Sequence, residues 1–388
     1  MTLSPENNKI AIEERRITND DHSSSPCQFR WAVDVSRWQP SEDEFEYLCS
    51  NIITKEESVQ CKRFKFEEDR KRALISKLLQ RTAGVVLASH VSSRQGNASK
   101  NSSTETTLED KLMAQCRIYS PAVCCLQGIS IGTTKGRKPY IETTKEPFRS
   151  LYGGMEVENM VAPNFNYNVS HDGHYVVLAS EGFCVCGCDI SSPQGIRKRR
   201  DATPQTMESL QKVLRSFEKQ LTPREWKDVY SRGNVEGVEQ RFIQYWSLKE
   251  AFVKAIGMGL GYDLGLVEFE IDDVTNIATV TSREPRYKSH EWSFYLHPLP
   301  NGHWVSVARG PPDSITDAHG GFTQTFRMPR IDADTLSFHI HQVKEPSFEF
   351  LTVEDILSVL VRSCAAVGSS ACTMRDIAQE YVERFIYN

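Results

Sequence analysis

Glu250 and Lys254 stand four residues apart in W-S-L-K-E-A-F-V-K-A-I-G, a run that begins at Trp246. Helical residues four apart are neighbours on one flank. Phe242, Tyr245, Trp246, Phe252, Val253 and Ile256 gather on one side of that helix, so the Glu250–Lys254 flank borders a buried face. Alone, such a pair is an ordinary exposed ion pair worth a few tenths of a kcal/mol. Asp189 closes C-V-C-G-C-D. At the period of a strand, Cys184, Cys186, Cys188 and Ile190 share one face, and Val185, Gly187 and Asp189 share the other. A carboxylate in an otherwise apolar strand needs a partner, which a divalent cation, a basic side chain or backbone donors can supply. The cysteine row reads as small apolar packing, because no second set of zinc-like spacing accompanies it.

Two further segments carry polar chemistry. In F-N-Y-N-V-S-H-D-G-H-Y, Ser170 and His171 precede an expected Asp172–Gly173 turn and then a strand. Functional residues concentrate at such positions, although a lone histidine there is also an ordinary turn residue. In K-G-R-K-P-Y, from Lys135 to Tyr140, three cations surround a glycine. That segment reads either as a phosphate cradle or as a solvated basic turn. M-G-L-G after Gly257 follows its helix, so it lacks a helix N-terminus to offer an anion and reads as a chain reversal.

The elements that must position these residues follow from periodicity. F-R-W-A-V-D-V starts a strand, and a helical stretch spans roughly 57–90. Strands are expected near 123–131, 175–179 and 184–190. A helical stripe of Met207, Leu210, Val213, Leu214, Phe217 and Leu221 precedes the long helix of about 238–256, which Gly257 ends. Strands near 264–271, 277–281, 292–296 and 304–308 follow, and then amphipathic helices at 353–361 and 374–385. Each half is helices followed by mostly antiparallel strands, an α+β fold of two pseudo-symmetric lobes. The expected divisions are a disordered tail (1–26), an N-terminal lobe (27–181) with a low-complexity insertion (92–107), a C-terminal catalytic lobe (182–326) and a C-terminal extension (327–388) whose role is not legible.

Composition narrows the classes. The 388 residues carry a formal net charge of -5, which argues against a nucleic-acid binder. No apolar run approaches a membrane span, and the start is too polar for a secretory signal. With 11 cysteines and no framework spacing, the expectation is a cytosolic protein with reduced thiols.

Taken in order, S-H-D-G-H-Y, G-C-D-I and W-S-L-K-E-A-F-V-K-A-I-G-M-G-L-G resemble the motifs of the larger, two-lobed 4'-phosphopantetheinyl transferases. R-W-A-V-D-V, F-K-F-E-E-D-R-K-R, G-R-K-P and L-T-P-R-E-W extend the resemblance over roughly 30–308. It implies transfer of phosphopantetheine from coenzyme A to a serine of an apo acyl- or peptidyl-carrier protein by a monomer, with coenzyme A between the lobes. It implies that Asp189 and Glu250 hold Mg2+ and that Lys254 contacts the pyrophosphate. Lys138 and Pro139 match a pair near the adenine and phosphates. Ser170 and His171 fall in a coenzyme A-binding motif, with His171 on the 3'-phosphate, and Arg81 matches a basic residue of the N-terminal lobe. Two positions depart from the pattern. Ser191 stands where bacterial relatives often carry another acid, and Gln60 stands where a base is usual, with Lys62 or Arg63 as substitutes. The rival readings are a degenerate carrier-protein binder of the same fold and another magnesium-dependent phosphoryl-transfer enzyme.

Overall fold

The computed structural model describes residues 27–98, 128–197, 206–366 and 373–386. The expected tail at 1–26 and most of the expected strand at 123–131 lie outside them. Strand β1 (Arg30–Asp34) leads into helices α1 (Glu42–Asn51), α2 (Lys55–Lys62) and α3 (Glu67–Ala98). The single helical stretch expected at 57–90 is therefore two helices. Thr54 and Glu57 form a reciprocal capping box that starts α2, and the chain bends at Arg63–Phe66 before α3. Helix α3 also runs past Ser92 into the run read as an insertion, because small polar residues weaken a helix without breaking it. Residues 99–107 of that run lie outside the described set.

A short hairpin, β2 (Ile131–Thr133) with β3 (Pro139–Ile141), brackets the basic turn. Strands β4 (Asn166–Asp172) and β5 (Tyr175–Glu181) form a second hairpin. Its loop is Gly173–His174, not Asp172–Gly173, and Gly173 has a φ of +52°, where glycine carries no steric penalty. The N-terminal sheet has the order β11-β1-β5-β4. The C-terminal lobe places α4 (Met207–Leu214), α5 (Pro223–Ser231) and α6 (Val235–Ile256) against a meander of β7 (Val267–Asp272), β8 (Ile277–Ser282), β9 (Ser293–Leu299) and β10 (His303–Gly310), with β6 (Val185–Ser191) beyond β10. Helix α6 starts three residues before its expected position because Asn234 caps it, accepting from the Gly237 amide at 2.7 Å. Gly257, with a φ of +74°, ends it. The chain is thus α+β, with helices on a small sheet in each lobe. Among the described residues, no helix is long and apolar enough to cross a membrane.

Residues 349–366 and 373–386 return to the N-terminal lobe. Strand β11 (Glu349–Phe350) pairs with β1 in parallel, Trp31 opposite Glu349. Helix α7 (Val353–Ala366) packs on α3, and its Ile356, Leu357 and Leu360 join the N-terminal core. Helix α8 (Thr373–Tyr381) reaches α1, where the Tyr381 hydroxyl donates to Glu44 at 2.6 Å. The extension also delivers Glu345 to the boundary between the sheets. There Arg30 of β1 and Arg309 of β10, both fully buried, share Glu181 and Glu345. Arg30 Nε lies 2.6 Å from Glu345 Oε1, and Arg309 Nε lies 3.0 Å from Glu181 Oε1. Burial pushes the Glu345 carboxyl up, but Arg30 and Arg309 outweigh that and hold it far below the usual carboxylate range.

A buried charge is costly once its partner is gone. We expect Glu345→Gln to lower unfolding free energy by about 3–5 kcal/mol, read by urea denaturation. The depressed folded value means that this stabilisation is present above the unfolded glutamate value of about 4.3 and is lost as pH falls. The gap between wild type and variant therefore narrows below about pH 4.

Candidate active site

Asp189 is placed by the meeting of two sheet edges. Strands β4 and β6 are edge strands of different sheets, and side chains join them where backbone carbonyls would in a continuous sheet. The amides of Cys186 and Cys188 donate to the side-chain oxygens of Asn166 and Asn168 at 2.8 and 3.0 Å, and the Ile190 amide donates to Ser170 Oγ at 3.3 Å. The Ser192 amide continues the series to Asp172 at 2.7 Å. The alternate amides of β6 face β10. Both polar residues and amides recur every second residue, so one register holds the whole junction.

The face of β6 that carries Asp189 lies under α6. Gly187 permits this contact: a Cβ there would stand 2.0 Å from the Ala251 carbonyl oxygen. The opposite face carries Cys186, Cys188 and Ile190 into a core with Ala32, Val177 and Val305. Burial pushes the Cys186 thiol up to about 12, as expected for packing residues and not for thiolate ligands.

Helix α6 presents Lys254 to Asp189. Lys254 Nζ lies 2.5 Å from Asp189 Oδ1 and donates to Ser170 Oγ at 2.7 Å. Ser170 Oγ in turn donates to Asp189 Oδ1 at 3.0 Å, and Ser191 Oγ donates to Oδ2 at 2.8 Å. Burial works against the lysine charge, but Asp189 outweighs it and raises the ammonium above its ordinary value. Glu250, half-buried one turn earlier, makes no hydrogen bond or ion pair among the described residues. The Glu250–Lys254 surface pair suggested by spacing is therefore replaced by an Asp189–Lys254 pair between lobe elements. Burial pushes the Glu250 carboxyl up, the Asp189 charge adds to this, and Lys254 opposes it.

The other sequence-derived positions divide. His171 lies within β4 opposite Val176, not in the turn, and its ring is exposed. It borders a groove of about 470 Å3 shared with Gln60, Arg63, Phe64, Lys77 and Gln80. Surrounding protein, Arg72 and Lys254 lower its proton affinity. Arg81 belongs to the lobe interior: 2% exposed, it pairs with Glu57 at 2.5 Å and donates to the Ile129 carbonyl at 3.3 Å. Lys138 is also buried, so the turn is not a solvated basic one at that position. Its ammonium donates to the Cys186 carbonyl and to the Lys254 carbonyl, the latter at 3.3 Å. Arg81 and Lys138 are thus both engaged by protein partners. Pro139 opens β3 and is half-buried, while Lys135 and Arg137 are exposed. Gly136 packs against the end of α6, where a Cβ would stand 2.1 Å from the Gly257 carbonyl oxygen.

Lys249, next to Glu250 in sequence, was not singled out and is wholly buried. It pairs with Glu225 at 2.7 Å and donates to the Leu264 and Val267 carbonyls, both at 2.8 Å. Glu225 also closes the Thr222 capping box and accepts from the Phe269 amide at 2.8 Å. This pair ties α5, α6 and β7 together and turns the neighbouring Glu250 away from the lobe core. The signal was the T-P-R-E capping box one helix earlier.

Asp189 and Glu250 supply hard oxygens in a site that a lysine lines. Among the described residues, no group of three or more His, Cys, Asp or Glu is placed to hold a metal. Two carboxylates leave most of a coordination shell to be filled by a ligand such as a polyphosphate. The family model for the 4'-phosphopantetheinyl transferase superfamily matches residues 185–308, the segment that carries Asp189, Glu250 and Lys254. A model for the N-terminal part of such transferases matches 36–95 and 104–183.

The chain belongs to the 4'-phosphopantetheinyl transferase superfamily.

The chain is 28% identical to the L-aminoadipate-semialdehyde dehydrogenase-phosphopantetheinyl transferase of Xenopus laevis, over 84% of this chain and 85% of that protein. It is 27% identical to a phosphopantetheinyl transferase of Thraustochytrium, over 72% of this chain and 77% of the relative. To the 4'-phosphopantetheinyl transferase of Bacillus subtilis it is 24% identical, over 57% and 67%. The two superfamily models meet between residues 183 and 185, at the β5–β6 connection that joins the two sheets.

The buried state of Lys138 has a measurable signature. Burial lowers its ammonium to about 8, against about 10.4 for an unfolded lysine. Between those values the unfolded chain binds more protons, so stability rises with pH. We expect wild type to gain stability relative to Lys138→Met between about pH 8 and pH 10, in urea titrations at both ends of that window.

Proposed function

We propose that the chain transfers 4'-phosphopantetheine from coenzyme A to a serine of apo acyl- or peptidyl-carrier domains, leaving 3',5'-ADP. The observation that carries this reading is the convergence of Asp189, Glu250 and Lys254, within the segment matched by the superfamily model, with Ser170 of the segment matched by the N-terminal model, at the end of the β4–β6 junction. Asp189 and Glu250 are the residues to hold Mg2+: both are oxygen donors, and Glu250 is left unpaired by its neighbours among the described residues. Bound there with coenzyme A, the ion supplies Lewis-acid polarisation of the pyrophosphate.

The chain's own groups do the rest. Lys254 places an ammonium beside developing phosphate charge. Ser170 and Ser191 fix Asp189 by donating to its two oxygens, so the serine at 191 supports the carboxylate in place of adding another acid. Glu250 accepts the proton of the carrier serine as the serine oxygen bonds to phosphorus and the bond from phosphorus to 3',5'-ADP breaks. No covalent enzyme intermediate is required. His171, exposed, hydrogen-bonds the 3'-phosphate, and the cations of its groove, Arg63 and Lys77, compensate for Gln60. Pro139 contacts the adenine end. Arg81 and Lys138 act through the scaffold and do not touch coenzyme A.

Incubation with coenzyme A, Mg2+ and an apo-carrier protein, read by intact mass, tests the activity. Unmodified carrier after prolonged incubation with several carrier classes defeats the proposal. Within the site, Glu250→Gln should lose far more single-turnover activity than Lys254→Ala, since glutamine removes both the charge and most of the basicity. Groups acting on one transition state are non-additive, so the double variant should resemble Glu250→Gln alone. Losses that simply multiply mean that the two residues act independently.

A further inference from the structure

The pairing of Lys254 raises a question of charge. Its ammonium lies on Asp189 Oδ1, while Glu250, a turn away on the same helix, makes no hydrogen bond or ion pair with it. The lysine therefore neutralises one of the two carboxylates proposed to hold the metal. A dication approaching Asp189 meets a cation at hydrogen-bond distance, and like charges so close repel strongly.

Only the lysine side chain is free to relieve that conflict. The Asp189 carboxylate is fixed through Ser170 and Ser191. The backbone of α6 is fixed by its contact with Gly187, by the Gly257 cap and by the Lys138 ammonium on the Lys254 carbonyl. The Lys254 side chain is 29% exposed and ends a flexible four-carbon stem. It can leave Asp189 without any backbone movement, provided another anion receives it.

We propose that Lys254 is an internal counter-ion of Asp189, which yields the carboxylate to the metal only when the pyrophosphate of coenzyme A accepts the ammonium. Metal and coenzyme A then load as a coupled pair. Metal alone binds weakly, because it must displace the lysine into water. Coenzyme A alone draws the lysine away and leaves two carboxylates beside its own phosphates, a charge that recruits the metal. The coupling is reciprocal, as linkage requires. This inference rests on the assignment of Asp189 and Glu250 as metal ligands.

Mn2+ binding, followed by the electron paramagnetic resonance of the free ion, tests it without turnover. The CoA-free wild type, Lys254→Met, Lys254→Gln, Lys254→Arg and Asp189→Asn are compared, each with folding verified by a thermal melt. Lys254→Met and Lys254→Gln should bind Mn2+ more tightly than wild type, on the order of tenfold. Lys254→Arg, which keeps the charge, should stay near wild type, an outcome that a purely structural role for the side chain does not produce. With coenzyme A present, and coenzyme A alone as the blank, the gain in Mn2+ affinity should be larger for wild type than for Lys254→Met. Unchanged or weaker CoA-free binding in both neutral variants overturns the counter-ion role. If Asp189→Asn binds Mn2+ as wild type does, the metal-site assignment itself fails, whatever the lysine variants show.

Discussion

The junction of β4 with β6 is the constraint on which the rest of the molecule depends. Two sheets meet edge to edge there, yet the amides of β6 find side-chain oxygens of β4 in place of a backbone partner. Exposed strand edges invite pairing with other chains, and this arrangement closes two edges at once. It also sets Asp189 in register with Ser170, because both belong to the same two-residue repeat. With β6 fixed from one side by β4 and from the other by β10, α6 can lie on its remaining face. Gly187 then sets how close the helix comes.

Much of this was legible in the sequence, and the reasons differ by element. Helix α6 was clear because its apolar stripe is long and Gly257 ends it. Asp189 stood out because a carboxylate in an apolar strand demands a partner. Which partner it takes could not be read, since spacing ranks Lys254 with Glu250 and ignores contacts between elements distant in sequence. The Asn166, Asn168 and Ser170 series is alternate polar residues in a buried strand, a signal as strong as that of Asp189. Its meaning depends on a second strand lying opposite, which no local pattern reveals. Arg81 and Lys138 show the converse. Basic side chains near motif positions look like anion ligands, whereas their burial against Glu57 and against backbone carbonyls makes them part of the frame.

Buried charge recurs through the molecule with separate purposes. Glu225 with Lys249 orients one helix against one strand. Asp189 with Lys254 is half-open to solvent and adjoins an unpaired carboxylate, the setting in which a charge pair can be exchanged. Arg30, Arg309, Glu181 and Glu345 are closed off completely. Pairs of the first and third kinds stabilise only when complete, and they make the position of each element strongly dependent on its partner.

Glu345 also has a consequence for biosynthesis. Strand β1 is among the first described segments to leave the ribosome, and β11, which lies beside it, is among the last. Until residue 345 emerges, Arg30 and Arg309 must share the single carboxylate of Glu181. Burying both guanidiniums at the boundary of the two sheets is costly until Glu345 joins them. The lobes can collect their helices in order of synthesis, but the junction that aligns the site reaches charge balance only after a residue 315 positions beyond Arg30 is made. Long-range closure of this kind slows folding, and a chain that stops short of Glu345 is left defective at its centre.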